Sequence, residues 1–180
     1  MYHPEDAQIY WYDPDPRCII PLPNHHVPKR LRRALRQAKS QEGVECCFDR
    51  DFRGVMEACA KTTPDRPATW INDAMIDHYC ALHRAGFAHS SEVYMDGQLV
   101  GGVYGVAIGG LFAGESMFSR VSNASKFALV QLLDHVRDSG FRLFDVQFMN
   151  PHLEQFGACA IARASYHRQL ARALQDAPNF

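Results

Sequence analysis

The sequence predicts an α/β fold, a mixed sheet flanked by helices, from three observations. A strand–helix–strand unit runs from Gly109 to Asn150, two glycine-bearing turns join alternating segments just ahead of it, and capped segments of helical period lie on either side. In the central unit, Leu111 to Phe118 reads as a strand and Ser119-Arg-Val-Ser-Asn as a turn. A helix is expected from about Ser122 to Asp138, with Phe127, Leu129, Val130, Leu132, Leu133 and Val136 as its apolar positions and Ser122 or Asn123 as its cap. Gly140 suits the left-handed residue that ends such a helix, and Arg142 to Phe148 reads as the second strand. A helical crossover leaves its two strands parallel and commonly adjacent in one sheet.

The remaining elements follow in chain order. Residues 1–28 form a segment rich in proline, aspartate and histidine, which favours extended or turning backbone. Its aromatic cluster Tyr10-Trp11-Tyr12 is expected to anchor it on the main domain, taken as residues 29–180. That domain opens on a helix over 29–39 with Leu31, Ala34, Leu35 and Ala38 as a narrow apolar stripe. Val44 to Phe48 reads as a short strand, and Asp51 to Ala60 as a helix with Phe52, Val55, Met56 and Cys59 inward. A turn-rich loop spans Lys61 to Pro67. The next helix runs from an Asn72 cap to Arg84, is closed by Gly86, and turns Met75, Ile76, Tyr79 and Leu82 inward. Ala88 to Met95 alternates, Asp96-Gly97 is a hairpin turn, Gln98 to Ile108 is the return strand, and Gly109-Gly110 turns again. Beyond Asn150 a loop, a strand near Cys159 to Arg163 and a helix from Ser165 to about Leu174 are expected, with the last six residues frayed. This order fits an acetyltransferase-like α/β fold.

Composition narrows the function classes. Hydrophobic residues at 47% and charged residues at 22% are ordinary for a globular domain, and a net charge of −1 excludes a uniformly basic nucleic-acid binder. No apolar run approaches the ~20 residues of a membrane span, and Met1 to Asp13 has no secretory pattern, so a cytoplasmic chain without membrane contact is expected. Six cysteines without a C-x-x-C spacing read as reduced, mostly buried thiols. No histidine stands at a convincing zinc spacing from cysteine or carboxylate; His83 and His89 lie across a helix end, and no metal is expected.

Two features stand out against this background. Lys29, Arg30, Arg32, Arg33, Arg36 and Lys39 fall within eleven residues that hold no acid, which concentrates positive potential where a phosphate backbone can lie. The other reading is a solvated helix face. The second feature is polar residues in strands that should be apolar: Glu115 in the first strand of the central unit, Asp145 and Gln147 in the second. Asp145 and Gln147 are two apart and are expected on one face, with Glu115 opening into the same cleft. A buried carboxylate costs several kcal/mol unless paired, so this is either a structural polar network or a site of two acids and an amide.

The segments GESMFSR, SNASK-x-AL and LFDVQ with Asn150 three residues further on resemble the leucyl/phenylalanyl-tRNA–protein transferases. So do WYDPDPR (Trp11 to Arg17), TWI (Thr69 to Ile71), LHRAGFAHSSEVY (Leu82 to Tyr94) and LVGGVYG (Leu99 to Gly105), and the likeness extends from about Tyr10 to Leu174. The resemblance implies transfer of Leu, Phe or Met from aminoacyl-tRNA to the N-terminal Arg or Lys of acceptor proteins, marking them for degradation. It implies Asp145 and Gln147 as the catalytic pair, with Asp145 orienting Gln147 and polarising the amine, and Asn150 in support. Glu115 matches the acceptor-selecting carboxylate. Val103, Phe112, Met117, Leu129 and Phe144 match the donor side-chain pocket, although from the sequence alone each would simply be core. Trp70 matches a tryptophan that stacks near the terminal adenine, and the basic helix is expected to meet tRNA.

Two departures from related patterns bear on these expectations. Acetyltransferases of this fold grip coenzyme A with a glycine-rich loop, whereas the corresponding Ser119-Arg-Val-Ser-Asn-Ala-Ser-Lys has no glycine, so no coenzyme and no metal is expected. Family members carry some further residues upstream, including a second adenine-site residue that Met1 is expected to replace or to leave missing. A tRNA- or N-terminus-binding module without turnover, and a transferase acting on a different amine, stand as alternatives.

Overall fold

The computed structural model describes residues 12–41, 43–62 and 68–180. Seven strands form one sheet in the order β2-β3-β4-β5-β6-β1-β7. Strands β2 (Glu45–Phe48), β3 (Ala88–Met95), β4 (Gln98–Ile108) and β5 (Leu111–Ser119) make an antiparallel meander. The β3–β4 hairpin turns on Asp96 and Gly97, both at positive φ. Helix α4 (Ala124–Asp138) then crosses over to β6 (Leu143–Gln147), which lies parallel to β5. That arrangement, a meander followed by a parallel strand across a helix, is the acetyltransferase-like α/β fold the order of elements predicts.

Helices cover both faces. On one, α1 (Lys29–Gln41) and α4 bury Leu31, Ala38, Phe127, Leu129 and Leu133 with Val103, Phe112 and Phe144 of the sheet. On the other, α2 (Phe52–Ala60) and α3 (Asp73–Arg84) pack on β3–β5, while α6 (Arg163–Ala173) covers Leu111 and Leu143. The predicted apolar stripe of α1 is the part that faces the core, and its cations remain exposed. Asp51 and Asn72 cap α2 and α3 through their side chains, as helix starts require. Gly101 lets α4 approach β4: a methyl group there would meet the Ala124 methyl at 2.5 Å.

Four expectations are corrected. Arg17–Ile20, within the proline-rich segment, is strand β1, inserted antiparallel between β6 and β7 (Cys159–Ile161). Cys-Ile-Ile is a buried strand run, and the surrounding prolines hid it. In α3 the inward stripe runs through Ile76, Tyr79 and Cys80 to His83, whose ring stacks on Phe52 at 4.5 Å, so Leu82 is exposed. The loop after Asn150 begins with a short helix, α5 (Pro151–Glu154). The last residues are docked rather than frayed: Asp176 pairs with Arg142, and the Phe180 ring stacks on His89 at 3.9 Å and on Phe112 at 5.8 Å. Tyr12 is exposed; Tyr10, Trp11 and residues 63–67 lie outside the described residues.

Candidate active site

Strands β5 and β6 pair over only three positions, Leu111–Ala113 with Leu143–Asp145, and then part. The fork they leave is where the polar residues of both strands collect. On its β4 side the register of β5 passes from Gly105↔Gly114 to Tyr104↔Ser116, so Glu115 is an extra, unpaired residue in a β-bulge. Gly105 permits this bend, because a methyl group there would lie 2.3 Å from the Ala113 carbonyl oxygen. The bulge reverses which residues face α4. Phe112 before it and Met117 after it therefore both pack on the α4 side, although they are five residues apart.

A cavity of about 370 Å³ fills the fork. Its apolar wall comes from Val103, Met117, Leu129 and Phe144. Glu115, Gln147 and Asn150 supply polar groups, and half-exposed Phe148 and Met149 form its lip. Of the five expected donor-pocket residues, Phe112 is the exception. It is fully buried and stacks behind Phe144 with ring centroids 5.4 Å apart, so it backs the wall without reaching the cavity.

Asp145 and Gln147 do not share a face. Gln147 adopts a left-handed φ of 56°, which breaks the strand alternation and places it on the cavity side with Phe144 and Val146. Asp145 is 1% exposed on the side of α6 and does not line the cavity. Its Oδ1 accepts from Arg17 Nε at 3.0 Å and from the Gln147 backbone N–H at 2.9 Å. Its Oδ2 accepts from Arg17 Nη2 at 2.6 Å and from the Tyr166 hydroxyl at 2.9 Å. With both oxygens engaged, Asp145 has no acceptor free to polarise an incoming amine. Burial works against the Arg17 charge, but the hydrogen bonds and charge of Asp145 outweigh it and hold Arg17 above its ordinary value. Asn150 caps α5, its Oδ1 accepting the His152 N–H at 2.9 Å.

Glu115 is electrostatically distinct. Burial first, and then the charge of Asp145, pushes its carboxyl up to about 7, against the opposing Arg17 charge and a hydrogen bond donated by Tyr79. Tyr79 of α3 is in turn pushed above its usual range by burial and by Glu115. A carboxyl poised near neutrality in a cleft is a common mark of a functional group.

Other expected site residues lie elsewhere. Trp70 packs on the α2–α3 cluster and does not line the cavity. Lys29, Arg30, Arg32, Arg33, Arg36 and Lys39 are exposed along α1, with Arg32 3.7 Å from Asp134. His83 and His89 do meet, and with Asp49 their potential ligand atoms lie within 4.8 Å of one another. Within this group His89 Nδ1 bonds Asp49 at 2.7 Å, and His83 Nδ1 bonds the Ala88 carbonyl at 2.8 Å. The six cysteines carry thiols and form no disulfide. No described helix is long and apolar enough to cross a membrane.

Sequence reasoning gave no role to Arg17 or Tyr166, and to Tyr79 only one in the core. Arg17 carried a signal, as a lone cation opening the apolar run Cys-Ile-Ile. Tyr166 carried none, because its partner lies across the fold.

Comparison with known proteins identifies relatives of the chain. The profile of the family described as leucyl/phenylalanyl-tRNA protein transferase matches residues 19–171. A leucyl/phenylalanyl-tRNA–protein transferase of Herpetosiphon aurantiacus is 50% identical over 177 residues, 98% of this chain and 88% of the relative. One from Paramagnetospirillum magneticum is 50% identical over 172 residues, 96% and 80% of the two chains. Among solved structures, L-PGS from Bacillus licheniformis superposes with a TM-score of 0.53 at 11% identity over 89% of this chain and 65% of that one, a likeness of fold alone.

Proposed function

Since the chain belongs to the leucyl/phenylalanyl-tRNA–protein transferase family, we propose that it moves Leu, Phe or Met from tRNA to the N-terminal Arg or Lys of acceptor proteins, marking them for degradation. The observation that carries this reading is the fork cavity, which sets Glu115 and the Gln147 amide against an apolar wall. The wall takes the donor side chain, and Glu115 takes the cationic side chain of the acceptor through a charge-assisted contact. The acceptor α-amine attacks the ester carbonyl, the C–N bond forms, the ester C–O bond breaks, and the tRNA 3′-oxygen leaves with a proton. The ester is already activated, so alignment supplies most of the rate, with Gln147 holding the reacting groups by hydrogen bonds. Trp70, exposed cations of α1 and the tRNA acceptor end belong to the donor side of this scheme.

The reading needs neither metal nor coenzyme. The turn before α4 has no glycine, and Ser119 Oγ accepts the Ser125 N–H at 3.2 Å, the kind of donor a pyrophosphate would require. The reaction belongs in the cytoplasm, where charged tRNA is made. The test is transfer of labelled leucine from Leu-tRNA to two acceptors differing only in an N-terminal Arg or Gly. Arg-selective transfer that falls at least 100-fold in Gln147→Ala is expected. Leu-tRNA binding without transfer would overturn the reading in favour of a binding module.

A further inference from the structure

We propose that Arg17 and Tyr166 are positioning residues for transfer: from β1 and α6 they clamp Asp145, which holds Gln147 in the backbone geometry that turns its amide into the cleft. The inference rests on the transferase reading and assigns work to two residues that do not line the cavity. Its starting point is the strain at Gln147. A non-glycine residue at a φ of 56° costs about 1 kcal/mol or more and persists only where its surroundings over-determine it. Here the determining contact is the Asp145 Oδ1 that accepts the Gln147 N–H at 2.9 Å.

That contact is only as rigid as the carboxylate. Asp145 is the middle residue of β6 and the last position paired with β5, so beyond it the sheet no longer fixes the backbone on that side. Arg17 does so in its place, with a planar fork on both carboxylate oxygens, Nε at 3.0 and 3.2 Å and Nη2 at 2.6 Å. Two parallel donors set the carboxylate plane as a single lysine-like charge would not. Tyr166 adds a third direction at 2.9 Å, and its ring lies under the Arg17 guanidinium at 4.7 Å, so the two clamp residues also hold each other. The strand that carries Arg17 pairs with β6 itself, Cys18 opposite Gln147, with a register shift between Cys18 and Ile19. Arg17 is therefore fixed by the same backbone that it helps to shape.

The experiment compares the wild-type full chain with Arg17→Gln, Arg17→Ala, Tyr166→Phe and Asp145→Asn. Leucine transfer and thermal unfolding are followed in each, with hydrogen exchange at the Gln147 amide in wild type and Arg17→Gln. Expected is a fall in kcat of at least 30-fold for Arg17→Gln and about 5-fold for Tyr166→Phe, with KM for Leu-tRNA and acceptor changed less than 3-fold at a pH well above neutrality, where Glu115 is ionised in every variant. The Arg17→Gln/Asp145→Asn double variant should lose no more than the worse single one. Millimolar guanidinium should restore part of the kcat of Arg17→Ala and nothing to Asp145→Asn. A kcat unchanged in a folded Arg17→Gln overturns the proposal, as does a loss that follows Tm alone and resists guanidinium. Should wild type transfer nothing, the transferase reading fails, and the exchange experiment decides the clamp separately. At least 10-fold faster exchange at Gln147 in Arg17→Gln supports it, and unchanged exchange overturns it.

Discussion

At the scale of single residues, the proposed role of Glu115 predicts both a pH dependence and an acceptor choice. Its carboxyl is pushed up to about 7, so the anion that pairs with a cationic acceptor forms as pH rises through neutrality. The kcat/KM for an Arg-initiated acceptor is expected to rise with pH through about 7. Glu115→Gln should flatten that profile and lower its plateau by ~10- to 150-fold, the worth of a charge-assisted contact of about 1.5–3 kcal/mol. Among the described residues the groups acting on Glu115 are Asp145, which raises it, and Arg17 and Tyr79, which lower it. Arg17→Gln should therefore move the rising limb to higher pH. Stability runs the opposite way. The folded value lies above the ordinary 4.5, so the folded chain prefers the protonated form, and stability falls as pH climbs from 4.5 through about 7. Thermal melts should show Glu115→Gln gaining on wild type across that window and holding a constant advantage above it. Phe144, which lines the cavity, is the proposed contact for the donor. Phe144→Leu opens the cavity wall, and competition between Phe-tRNA and Leu-tRNA should shift toward Phe by ~10- to 100-fold, about 1–3 kcal/mol of pocket discrimination.

At the scale of elements, α1 has one buried stripe and one cationic face, and the two can be changed separately. Replacing Arg30, Arg33 and Arg36 by Ala leaves Leu31 and Ala38 in the core. Leu-tRNA affinity should fall and its log–log salt slope should drop by about one for each phosphate that is no longer neutralised, with Tm unchanged. Arg32, committed to Asp134 at 3.7 Å, should matter less. Elements of this kind were legible in the sequence because periodicity and caps are local. Asn72, Asp96-Gly97 and Gly140 each marked an end through their own backbone preference. The unread parts were non-local. β1 looked like a proline-rich tether because its pairing partners lie more than a hundred residues downstream. Asp145 and Gln147 obeyed period-2 spacing on paper, but a left-handed residue at the end of β6 breaks the period, and the hydrogen bonds that support it come from β1 and α6. The bulge at Glu115 was hidden for the same reason, since a bulge exists only relative to a partner strand.

At the scale of the whole molecule, the cavity wall continues through the core to the far end of the chain. Phe144 stacks on Phe112, Phe112 on Phe180, and Phe180 also lies on His89 and meets Phe48 and His135 edge-on. Phe180→Ala should cost about 1–3 kcal/mol in chemical denaturation and loosen Phe144, read as weaker discrimination between donors with acceptor KM unchanged. The insertion of β1 between β6 and β7 has a consequence in time. A ribosome adding roughly 5–20 residues per second delivers Arg17 long before Asp145 and Tyr166. For roughly six to thirty seconds β1 waits without β6 and β7, and the clamp closes only once α6 has emerged. A nascent chain that stops short of Tyr166 thus lacks one arm of the clamp, and on the proposal above transfer waits for α6.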